Sequence, residues 1–370
     1  MRTVGVEEEL LLVDPRTGEP LALSAAVMSA ASREGNGKDG PAAGALESEL
    51  KCEQVEFATR PVLGMGELAE EIVRWRAEAA RHAADAGGAL AALATSPLPV
   101  TPSTMPGERY GWVSRQFGLT AREQLTCGCH VHVSVASDDE GVGVLDRIRP
   151  WLPVLTALSA NSPFWQGQDS EYAGYRSRVW NRLPSAGPTE LFGSAENYHR
   201  QVRDMIATGV LRDTGMIYFD ARLSATYPTV EIRVADVCLE PGTPVLLAAL
   251  CRALVETAAR ERRAGRPPAP VGVGMLRLAA WRAARSGLDG PLLDPRDMSP
   301  AAPEAVLDVL VEHVRDALDD HGDLDLVREG LAHLLAHGNG ARIQRRLLRT
   351  TGDLGAMVAE CARLTVARTL

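Results

Sequence analysis

The chain has 370 residues, of which 45% are hydrophobic and 24% are charged, and its formal net charge is −9. This length suits one large domain or two ordinary ones, and the composition is ordinary for a soluble globular protein. The acidic balance argues against the basic stripe of a nucleic-acid-binding surface, and no run of 18 or more apolar residues predicts a membrane span. We therefore expect neither a nucleic-acid nor a membrane partner.

The N-terminus and the cysteines both indicate a cytoplasmic protein. The sequence MRTVGVEEEL runs directly into a strand-like pattern with three acids, which is not the pattern of a signal peptide. Six cysteines lack the regular spacing of a disulfide framework, so we expect reduced thiols. Lys38 and Lys51 are the only lysines, so any bound anion would be held mainly by arginine.

The first hundred residues predict four strands and one long helix. In chain order these are a strand over 3–13, a short strand near Leu21, a small polar connection over 30–46, a strand over 49–59, a helix over 65–87 and a buried strand over 89–95. A proline-rich loop follows the last of these strands. This part of the chain therefore mixes strands with helix.

The rest of the chain continues this mixture and then becomes helical. We predict a strand over 129–136, a helix over 144–159, a long irregular segment over 160–188, a pair of strands within 218–236 and helices from about 241 onward. Irregular segments as long as the third of these are often functional. The order of elements predicts an α+β fold with a helical layer packed on a sheet.

Three consecutive acids occupy the first predicted strand. Because successive side chains of a strand face opposite sides, Glu7 and Glu9 share one face and Glu8 lies on the other. Two carboxylates about 6–7 Å apart repel each other unless a cation lies near them. A solvated edge strand is the alternative interpretation.

The stretch ELKCEQVEFAT supplies three further acids, Glu49, Glu53 and Glu56. Glu56 lies opposite the apolar face that Val55 and Phe57 form. An exposed acidic strand face would explain this pattern equally well. These acids are therefore candidate ligands only in combination with the other strands.

The stretch CHVHVSV places His130 and His132 on one face of a strand. Cys127 and Cys129 precede them, so a tetrahedral zinc site is one interpretation. Zinc ligands must converge on one point, whereas both cysteines fall on the face opposite the histidines along a continuous strand. A third interpretation is that the histidines only fill polar positions in a sheet.

The stretch TVEIRVAD combines an acid and a base on one strand face. Glu231 and Arg233 face one side, and Val230, Ile232 and Val234 face the other. The pattern therefore presents a carboxylate and a guanidinium together on the face that does not form the core.

The segment GYRSRVW offers Tyr175, Arg176, Arg178 and Trp180. Its arginines are suited to a carboxylate or phosphate, although an ordinary surface loop would carry the same residues. The oxygen-rich acids favour a hard cation such as Mg²⁺, which commonly bridges nucleotide phosphates. Neither a phosphate-binding loop nor a dinucleotide-binding fingerprint is present. ATP, if it binds, would be held by metal and arginine.

These stretches together resemble the bacterial carboxylate–amine ligases related to glutamate–cysteine ligase, often called type 2 glutamate–cysteine ligases. The resemblance rests on GVEEELLLVD, ELKCEQVEFAT, CGCHVHVSV, SPFWQG…GYRSRVW and TVEIRVAD, which occur in the family's order and cover most of residues 3–240. Lys51, Cys52 and Arg60 depart from the family pattern and leave the substrate open.

The resemblance implies a single α+β domain over 1–370 with a glutamine synthetase-like fold. Its curved, mainly antiparallel sheet would form a funnel within 1–240, with helices packed outside and a helical part over 241–370. It implies two or three Mg²⁺ ions, or Mn²⁺, bound by Glu7, Glu9, Glu49, Glu56, His130 and Glu231, with Glu53 a weaker candidate. It also implies catalytic roles for Glu231 and Arg233, and ATP contacts from Arg176, Arg178, Tyr175, Trp180 and His132.

The implied reaction is ATP-dependent amide formation through an acyl phosphate. Glutamate and cysteine would give γ-glutamylcysteine, ADP and phosphate. The alternatives are a ligase for another amino acid or amine, a non-catalytic nucleotide-binding homologue, and a zinc hydrolase that uses His130 and His132. Relatives of this kind often form dimers, so a homodimer is among the expected assemblies.

Overall fold

The computed structural model of the chain describes residues 1–33 and 45–367, the first residue of the second range by its backbone only. Its strands are β1 (Val4–Val13), β2 (Ala45–Ser48), β3 (Gln54–Ala58), β4 (Ala89–Ala91), β5 (Gly128–Ser134), β6 (Phe164–Trp165), β7 (Gln168–Asp169), β8 (Ala221–Leu223), β9 (Thr229–Asp236), β10 (Leu292–Leu293) and β11 (Pro300–Ala301). Its α-helices are α1 (Ser24–Arg33), α2 (Met65–Asp85), α3 (Glu108–Phe117), α4 (Leu119–Glu123), α5 (Asp138–Ile148), α6 (Leu152–Ser159), α7 (Arg176–Trp180), α8 (Ala195–Ala207), α9 (Gly242–Arg263), α10 (Val273–Ser286), α11 (Pro303–His321), α12 (Leu324–His337), α13 (Gly340–Thr351) and α14 (Leu354–Thr365).

One seven-stranded sheet organises the molecule. Its strands lie in the order β2-β3-β1-β5-β9-β8, and β4 pairs with the end of β1. All of these pairings are antiparallel. Helices such as α9 pack against β1 and β5 on one face, so that face of the sheet forms the core. The prediction of an α+β fold with a mainly antiparallel sheet is confirmed.

The core face of β1 contains one charged residue. Val4, Val6, Leu10 and Leu12 are almost completely buried on this face, and Glu8 lies among them with no exposed surface. The guanidinium of Arg76 in α2 donates to both oxygens of Glu8, at 2.8 and 2.7 Å. Because a buried charge is costly unless it is paired and hydrogen-bonded, this bidentate pair allows an acid to remain in the core. The prediction that Glu8 faces the opposite side of the strand from Glu7 and Glu9 is confirmed.

The helical part packs directly on the sheet. Its first helix, α9, also contacts α2, α5, α11 and α12. Within the described ranges, α9 is the one helix long and apolar enough to cross a membrane by length and composition, and 78% of its apolar window is buried inside the fold. This helix is therefore the central core helix of the structure.

Several predicted elements match the structure and others do not. The first strand, the helix after residue 65, the strand pair before residue 237 and the helical part are confirmed. The strand predicted near Leu21 is wrong, because only an isolated bridge joins Val13 and Pro20 there. Most of the connection predicted over 30–46 lies outside the described residues, but its first residues belong to α1 and its last residues to β2.

The predicted strand over 49–59 is interrupted. Residues between β2 and β3 pair with another segment instead, since Lys51 forms a bridge with Thr104 and the Cys52 amide donates to the Ser103 carbonyl. Glu49 therefore lies between β2 and β3 rather than on the strand that carries Glu56.

The predicted helix over 144–159 and the irregular segment after it also required correction. The helix is divided into α5 and α6 by a short 3-10 turn that contains Pro150, because proline lacks the N–H that a helix interior needs. The segment over 160–188 is not wholly irregular, since it contains the β6–β7 hairpin and α7.

Candidate active site

The sheet face opposite the core carries a first row of three acids. Glu47 of β2 lies directly opposite Glu56 of β3, and Glu56 lies directly opposite Glu9 of β1. Directly opposed residues of neighbouring strands point to the same face. Strand register thus brings together three carboxylates that are far apart in sequence.

Two further rows continue across the same face. Glu7 of β1 lies opposite His130 of β5. On the other side of β5, His132 lies opposite Glu231 of β9, which in turn lies opposite Arg222 of β8. The rows of acids, histidines and arginine are therefore a direct consequence of antiparallel pairing.

An irregularity in the pairing of β5 and β9 affects the end of β9. The register shifts between Cys129 and Val131, so that Arg233 and Val234 together oppose His130. Such a bulge bends the strand and changes the direction of its side chains. The prediction that Val234 shares the core face with Val230 and Ile232 holds only in part, because Val234 is half-buried while the other two are buried.

These rows form the floor of a cavity of about 420 Å³. Its walls include Tyr110 of α3, residues 121–126 before β5, residues 214–218, and residues 224–227 between β8 and β9. Trp180 of α7 also lines it. A larger groove of about 760 Å³ lies beside α11 and α12, but the clusters of candidate metal ligands among the described residues all lie in the smaller cavity.

Two reciprocal ion pairs join opposite walls of the cavity. Arg109 of α3 donates to Asp213 at 3.0 Å, and Arg212 donates to Glu108 at 2.7 Å. Exposed pairs of this kind contribute little to stability. Their geometric effect is to hold α3 against the 209–216 segment at the cavity rim.

The acids and histidines form three groups suited to metal ions. The ligand atoms within each group lie within 4.8 Å of one another, and the groups are Glu9, Glu49 and Glu56; Glu7, His132 and Glu231; and Glu7, Glu56 and His130. The first two groups share no residue, so the floor can accommodate two ions at once. Carboxylate-rich groups of this type suit Mg²⁺ or Mn²⁺.

Glu53 does not belong to these groups. Both of its carboxylate oxygens accept the backbone N–H of Ser103, at 2.8 and 3.1 Å, and its side chain is buried. It fixes the segment after the proline-rich loop. The other six predicted ligands all belong to the groups, as does His132, which was predicted to contact ATP, and their binding of metal stays a prediction.

The first group is electrostatically strained without a cation. Burial and the nearby charge of Glu49 raise the pKa of Glu9 to about 7. Burial and the charge of Glu7 raise the pKa of Glu56 well above its ordinary value. A cation among these carboxylates would relieve both the desolvation and the repulsion. The donor set therefore fits a divalent ion.

At Glu7 and His130, by contrast, the surroundings lower the pKa values. Burial acts to raise the pKa of Glu7, but His132 and His130 outweigh it and hold that pKa well below its usual range. Burial and Arg233 lower the pKa of His130 to about 4, so its imidazole is neutral at pH 7. The Nε2 atom of His130 is buried without a hydrogen-bond partner among the described residues. A neutral imidazole with a free nitrogen is a suitable metal ligand.

Glu231 is held ionised by two arginines. Burial acts to raise its pKa, but Arg233 and Arg222 outweigh burial and lower it. Arg222 binds the carboxylate with Nε at 2.7 Å and Nη2 at 3.2 Å, and Arg233 donates to the same carboxylate. Glu231 can therefore contribute negative charge to a metal while it orients two guanidinium groups.

Arg176 lies at the edge of the cavity, on the sheet face that carries His130. It is almost completely buried, and its guanidinium occupies the space that a Cβ at Gly128 would need, so glycine is required there. The guanidinium carbons of Arg176 and Arg233 lie 5.6 and 5.9 Å from the ring centre of Trp180. These two arginines and Trp180 thus form one positively charged corner.

Tyr175 lies outside this corner, and Arg178 lies beside it. Tyr175 packs against Trp165 and Tyr172, with ring centres 5.9 and 5.6 Å away. Arg178 lines a small adjoining pocket, together with Asp220 and the three residues of the corner. The structure brings Trp180 and His132 into the cavity but places these two side chains away from its lining, and their contact with ATP stays a prediction.

The cysteines do not join the histidines. No cysteine belongs to a group of three candidate ligands within the part of the chain that the structure describes. Burial raises the pKa of both the Cys127 and the Cys129 thiol well above the ordinary value, so both stay protonated. This geometry gives no support to the zinc alternative.

Several residues that line the cavity were not predicted from the sequence as site residues. They are Arg222, Lys51, Tyr110, Gln124 and Tyr218. Arg222 had a detectable signal, since it alternates with the apolar residues of ARL on the strand that precedes TVEIRVAD. The others belong to helices and turns that reach the cavity only through tertiary packing.

The fold resembles those of known amide-bond-forming enzymes. A glutamate–cysteine ligase from Francisella tularensis, in complex with AMP, superposes with a TM-score of 0.68 at 12% identity and covers 99% of this chain and 88% of that one. A bifunctional glutathione synthetase from Pasteurella multocida gives a TM-score of 0.69 at 16% identity, covering 99% of this chain and 52% of that one. The ligase PafA, in its complex with the ubiquitin-like protein Pup, gives a TM-score of 0.58 at 14% identity, covering 98% and 71%.

Sequence comparison is more specific. Residues 3–360 match the glutamate–cysteine ligase family 2. A Streptomyces avermitilis protein named "Putative glutamate–cysteine ligase 2-1" is 64% identical over 365 residues, which is 99% of both chains. A Streptomyces coelicolor protein named "Putative glutamate–cysteine ligase 2" is 63% identical over 367 residues, covering 99% of this chain and 100% of that one.

Fold and site together define an ATP-dependent carboxylate–amine ligase with a glutamine synthetase-like fold. More specifically, the chain belongs to glutamate–cysteine ligase family 2.

Proposed function

We propose that this ligase joins the γ-carboxylate of L-glutamate to the amino group of L-cysteine, with ATP converted to ADP and phosphate. The names of its relatives support this substrate pair. The observation that carries the proposal is the pairing of two separate three-ligand groups with Arg233 and Trp180 in one cavity, with Arg176 completing the positively charged corner beside it. The substrates are small molecules, and we propose a cytoplasmic location, as the sequence predicts.

Six side chains would hold the metal ions. They are Glu9, Glu49 and Glu56 in one group, and Glu7, His130 and Glu231 in the other, where His132 also lies within reach of Glu7 and Glu231. When bound, the ions would neutralise negative charge on the transferring phosphoryl group.

The arginines would orient the anionic reactants. Glutamate's γ-carboxylate oxygen forms a bond to the γ-phosphorus of ATP, and the bond between that phosphorus and the β–γ bridging oxygen breaks to release ADP. Arg233, fixed by Glu231, would hold the transferred phosphoryl group or the attacking carboxylate, and Arg176 adds positive charge near Glu9. Positioning of this kind supplies most of the catalysis in phosphoryl transfer.

Amide formation completes the reaction. The neutral amine forms a bond to the acyl carbon, the bond from that carbon to the phosphate oxygen breaks, and phosphate leaves while the nitrogen loses a proton. The walls around Trp180 and Tyr110 would exclude water from the acyl phosphate.

The test is an incubation of purified protein with Mg-ATP and a panel of amino acids, singly and in pairs. Phosphate release and product mass are read together. Release only with glutamate and cysteine, with a product of γ-glutamylcysteine mass, is the expected result. Phosphate release with another pair of amino acids would confirm ligase activity but assign it to different substrates. Absence of both turnover and ATP binding would contradict the proposal.

A further inference from the structure

Lys51 is a buried cation that makes no ion pair with a described residue, although the charge of Glu53 acts on it. It is 1% exposed, yet it borders the cavity. Its Nζ donates to the Thr104 hydroxyl at 3.2 Å and lies 3.5 Å from the Arg122 carbonyl. No ion pair links it to a carboxylate among the residues that the structure describes.

A buried ammonium of this kind requires compensation. Burial disfavours the charged form and lowers the pKa of Lys51, and the nearby charge of Glu53 offsets only part of this effect. The cavity beside Lys51 offers the space for an anion. A carboxylate on a bound substrate would supply the missing negative charge.

Gln124 adds an unsatisfied acceptor to the same wall. It is 4% exposed, and its Nε2 donates to the Thr126 hydroxyl at 2.6 Å. Its Oε1 is buried and has no hydrogen-bond partner among the described residues. Because a buried acceptor left unpaired is costly, a donor on a bound substrate would stabilise this arrangement.

The two groups are neighbours in the structure. Lys51 lies against the carbonyl of Arg122, two residues before Gln124, and both side chains line the cavity. Lys51 also follows Glu49, a member of the first three-ligand group, by two residues. A substrate bound here would therefore extend toward the Glu9–Glu49–Glu56 group.

We infer that Lys51 and Gln124 form the subsite for the amino-acid end of the acyl donor, with Lys51 binding the α-carboxylate and Gln124 Oε1 accepting from the α-ammonium. An ammonium held in this way keeps its proton and does not attack an acyl phosphate. The molecule bound here therefore reacts through a second carboxylate, which makes the donor an acidic α-amino acid. This inference rests on the proposed function and specifies its donor site.

The test compares three donors that differ in one group. Glutamate has both groups, 4-aminobutyrate lacks the α-carboxylate, and glutarate lacks the α-ammonium. The variants are Lys51→Met and Gln124→Leu, and Arg122→Met is the matched control because its side chain is exposed and only its carbonyl contacts Lys51. KM and kcat are measured with Mg-ATP and cysteine, and binding of each compound is measured by titration calorimetry.

We expect Lys51→Met to raise the KM and Kd for glutamate by about 10- to 100-fold, as for loss of a charged hydrogen bond, and to leave those for 4-aminobutyrate unchanged. Gln124→Leu should raise the KM and Kd for glutamate by about tenfold and leave those for glutarate unchanged. Arg122→Met should alter none of these values.

The inference would be overturned if Lys51→Met raised the Kd for glutamate and the Kd for 4-aminobutyrate equally. A change confined to the KM for cysteine would also overturn it. Failure of the wild-type protein to ligate glutamate would count against the proposed function instead. Calorimetry needs no turnover, so the subsite is tested in either case.

Discussion

Glu231 shows how one residue combines burial, charge and chemistry. Its carboxylate is 2% exposed but remains ionised, because Arg222 and Arg233 both donate to it. The same carboxylate lies in a three-ligand group with Glu7 and His132. Its negative charge is therefore shared between the proposed metal site and the arginines.

Replacement of Glu231 by glutamine should abolish ligation with the fold retained. The amide keeps the shape of the side chain but removes the charge that a metal and two guanidinium groups need. We expect kcat to fall by about 10²- to 10⁴-fold, which corresponds to about 3–5 kcal/mol of transition-state stabilisation. Phosphate release and circular dichroism would measure both effects, and Glu19→Gln, at an exposed acid, is the control. Turnover near that of the wild type would show that the site is misplaced.

Glu9 should make metal binding depend on pH. Because its pKa is about 7, it carries a proton below that pH in the metal-free protein, and Mg²⁺ must displace this proton. Apparent Mg²⁺ affinity should therefore fall by about tenfold per unit as pH decreases below 7. In the metal-free protein the raised pKa favours folding below the unfolded value of about 4.3, and this contribution is lost as pH rises toward 7.

The thermal midpoint with and without Mg²⁺ would measure this linkage. The increase caused by Mg²⁺ should be larger at pH 8 than at pH 6. Glu9→Gln has no proton to displace at this position, so its Mg²⁺ effect should be smaller and less dependent on pH. An equal Mg²⁺ effect at both pH values in the wild type would contradict the proposed ligand role of Glu9.

At the scale of elements, strand β1 places adjacent acids, Glu7 and Glu8, in different surroundings. Glu8 faces the core and pairs with Arg76, whose guanidinium also donates to the Leu239 carbonyl at 3.0 Å and the Thr365 carbonyl at 3.2 Å. Glu7 faces the cavity and lies 3.1 Å from His132. Strand alternation thus places a stabilising acid directly beside a proposed functional one.

We therefore expect Glu7→Gln to affect mainly activity and Glu8→Gln to affect mainly stability. Glu8→Gln leaves the buried Arg76 charge without its partner, and we expect a loss of about 3–5 kcal/mol in the free energy of unfolding. Its turnover per folded molecule should stay close to that of the wild type. Glu7→Gln should lower turnover by about 10²-fold or more with a smaller loss of stability.

Denaturant unfolding and steady-state kinetics on the same preparations would separate the two effects. The two variants serve as controls for each other, since they remove the same charge from adjacent positions. If both variants lost activity and stability in the same proportion, the division of β1 into a core face and a site face would be wrong.

At the scale of the whole molecule, the sheet and the helical part share one hydrophobic core. That core includes Val131 of the sheet together with Leu250 of α9 and Met357 of α14. Thr365, at the end of α14, accepts the backbone N–H of Ala92 with its hydroxyl and a hydrogen bond from Arg76 with its carbonyl. The last helix is therefore tied to the first hundred residues.

Neither part should fold alone. Separate expression of residues 1–240 and 241–370 would expose apolar surface that each part buries against the other, so we expect no cooperative thermal transition from either fragment. Circular dichroism melts of both fragments and of the full chain would measure this. Cooperative unfolding of the 1–240 fragment, with ATP binding retained, would overturn the prediction of a single domain.

The sequence by itself determined which strand faces carry the acids, the histidines and Arg233. The alternation of GVEEEL, CHVHV and TVEIR assigns acids, histidines and Arg233 to the non-core face, and the structure has these assignments. Alternation has a period of two residues and depends only on local backbone geometry, which explains why it can be read from sequence. The family followed from the order of these motifs.

The tertiary structure decided how those faces meet. Strand register, which depends on packing and turns far away in the chain, aligned Glu47, Glu56 and Glu9 and brought Arg222 to Glu231. Long-range pairing likewise broke the predicted strand at Glu49. Lys51 and Gln124 entered the cavity wall through contacts between segments more than 70 residues apart. Local pattern fixes the direction of a side chain, whereas only the folded chain fixes its neighbours.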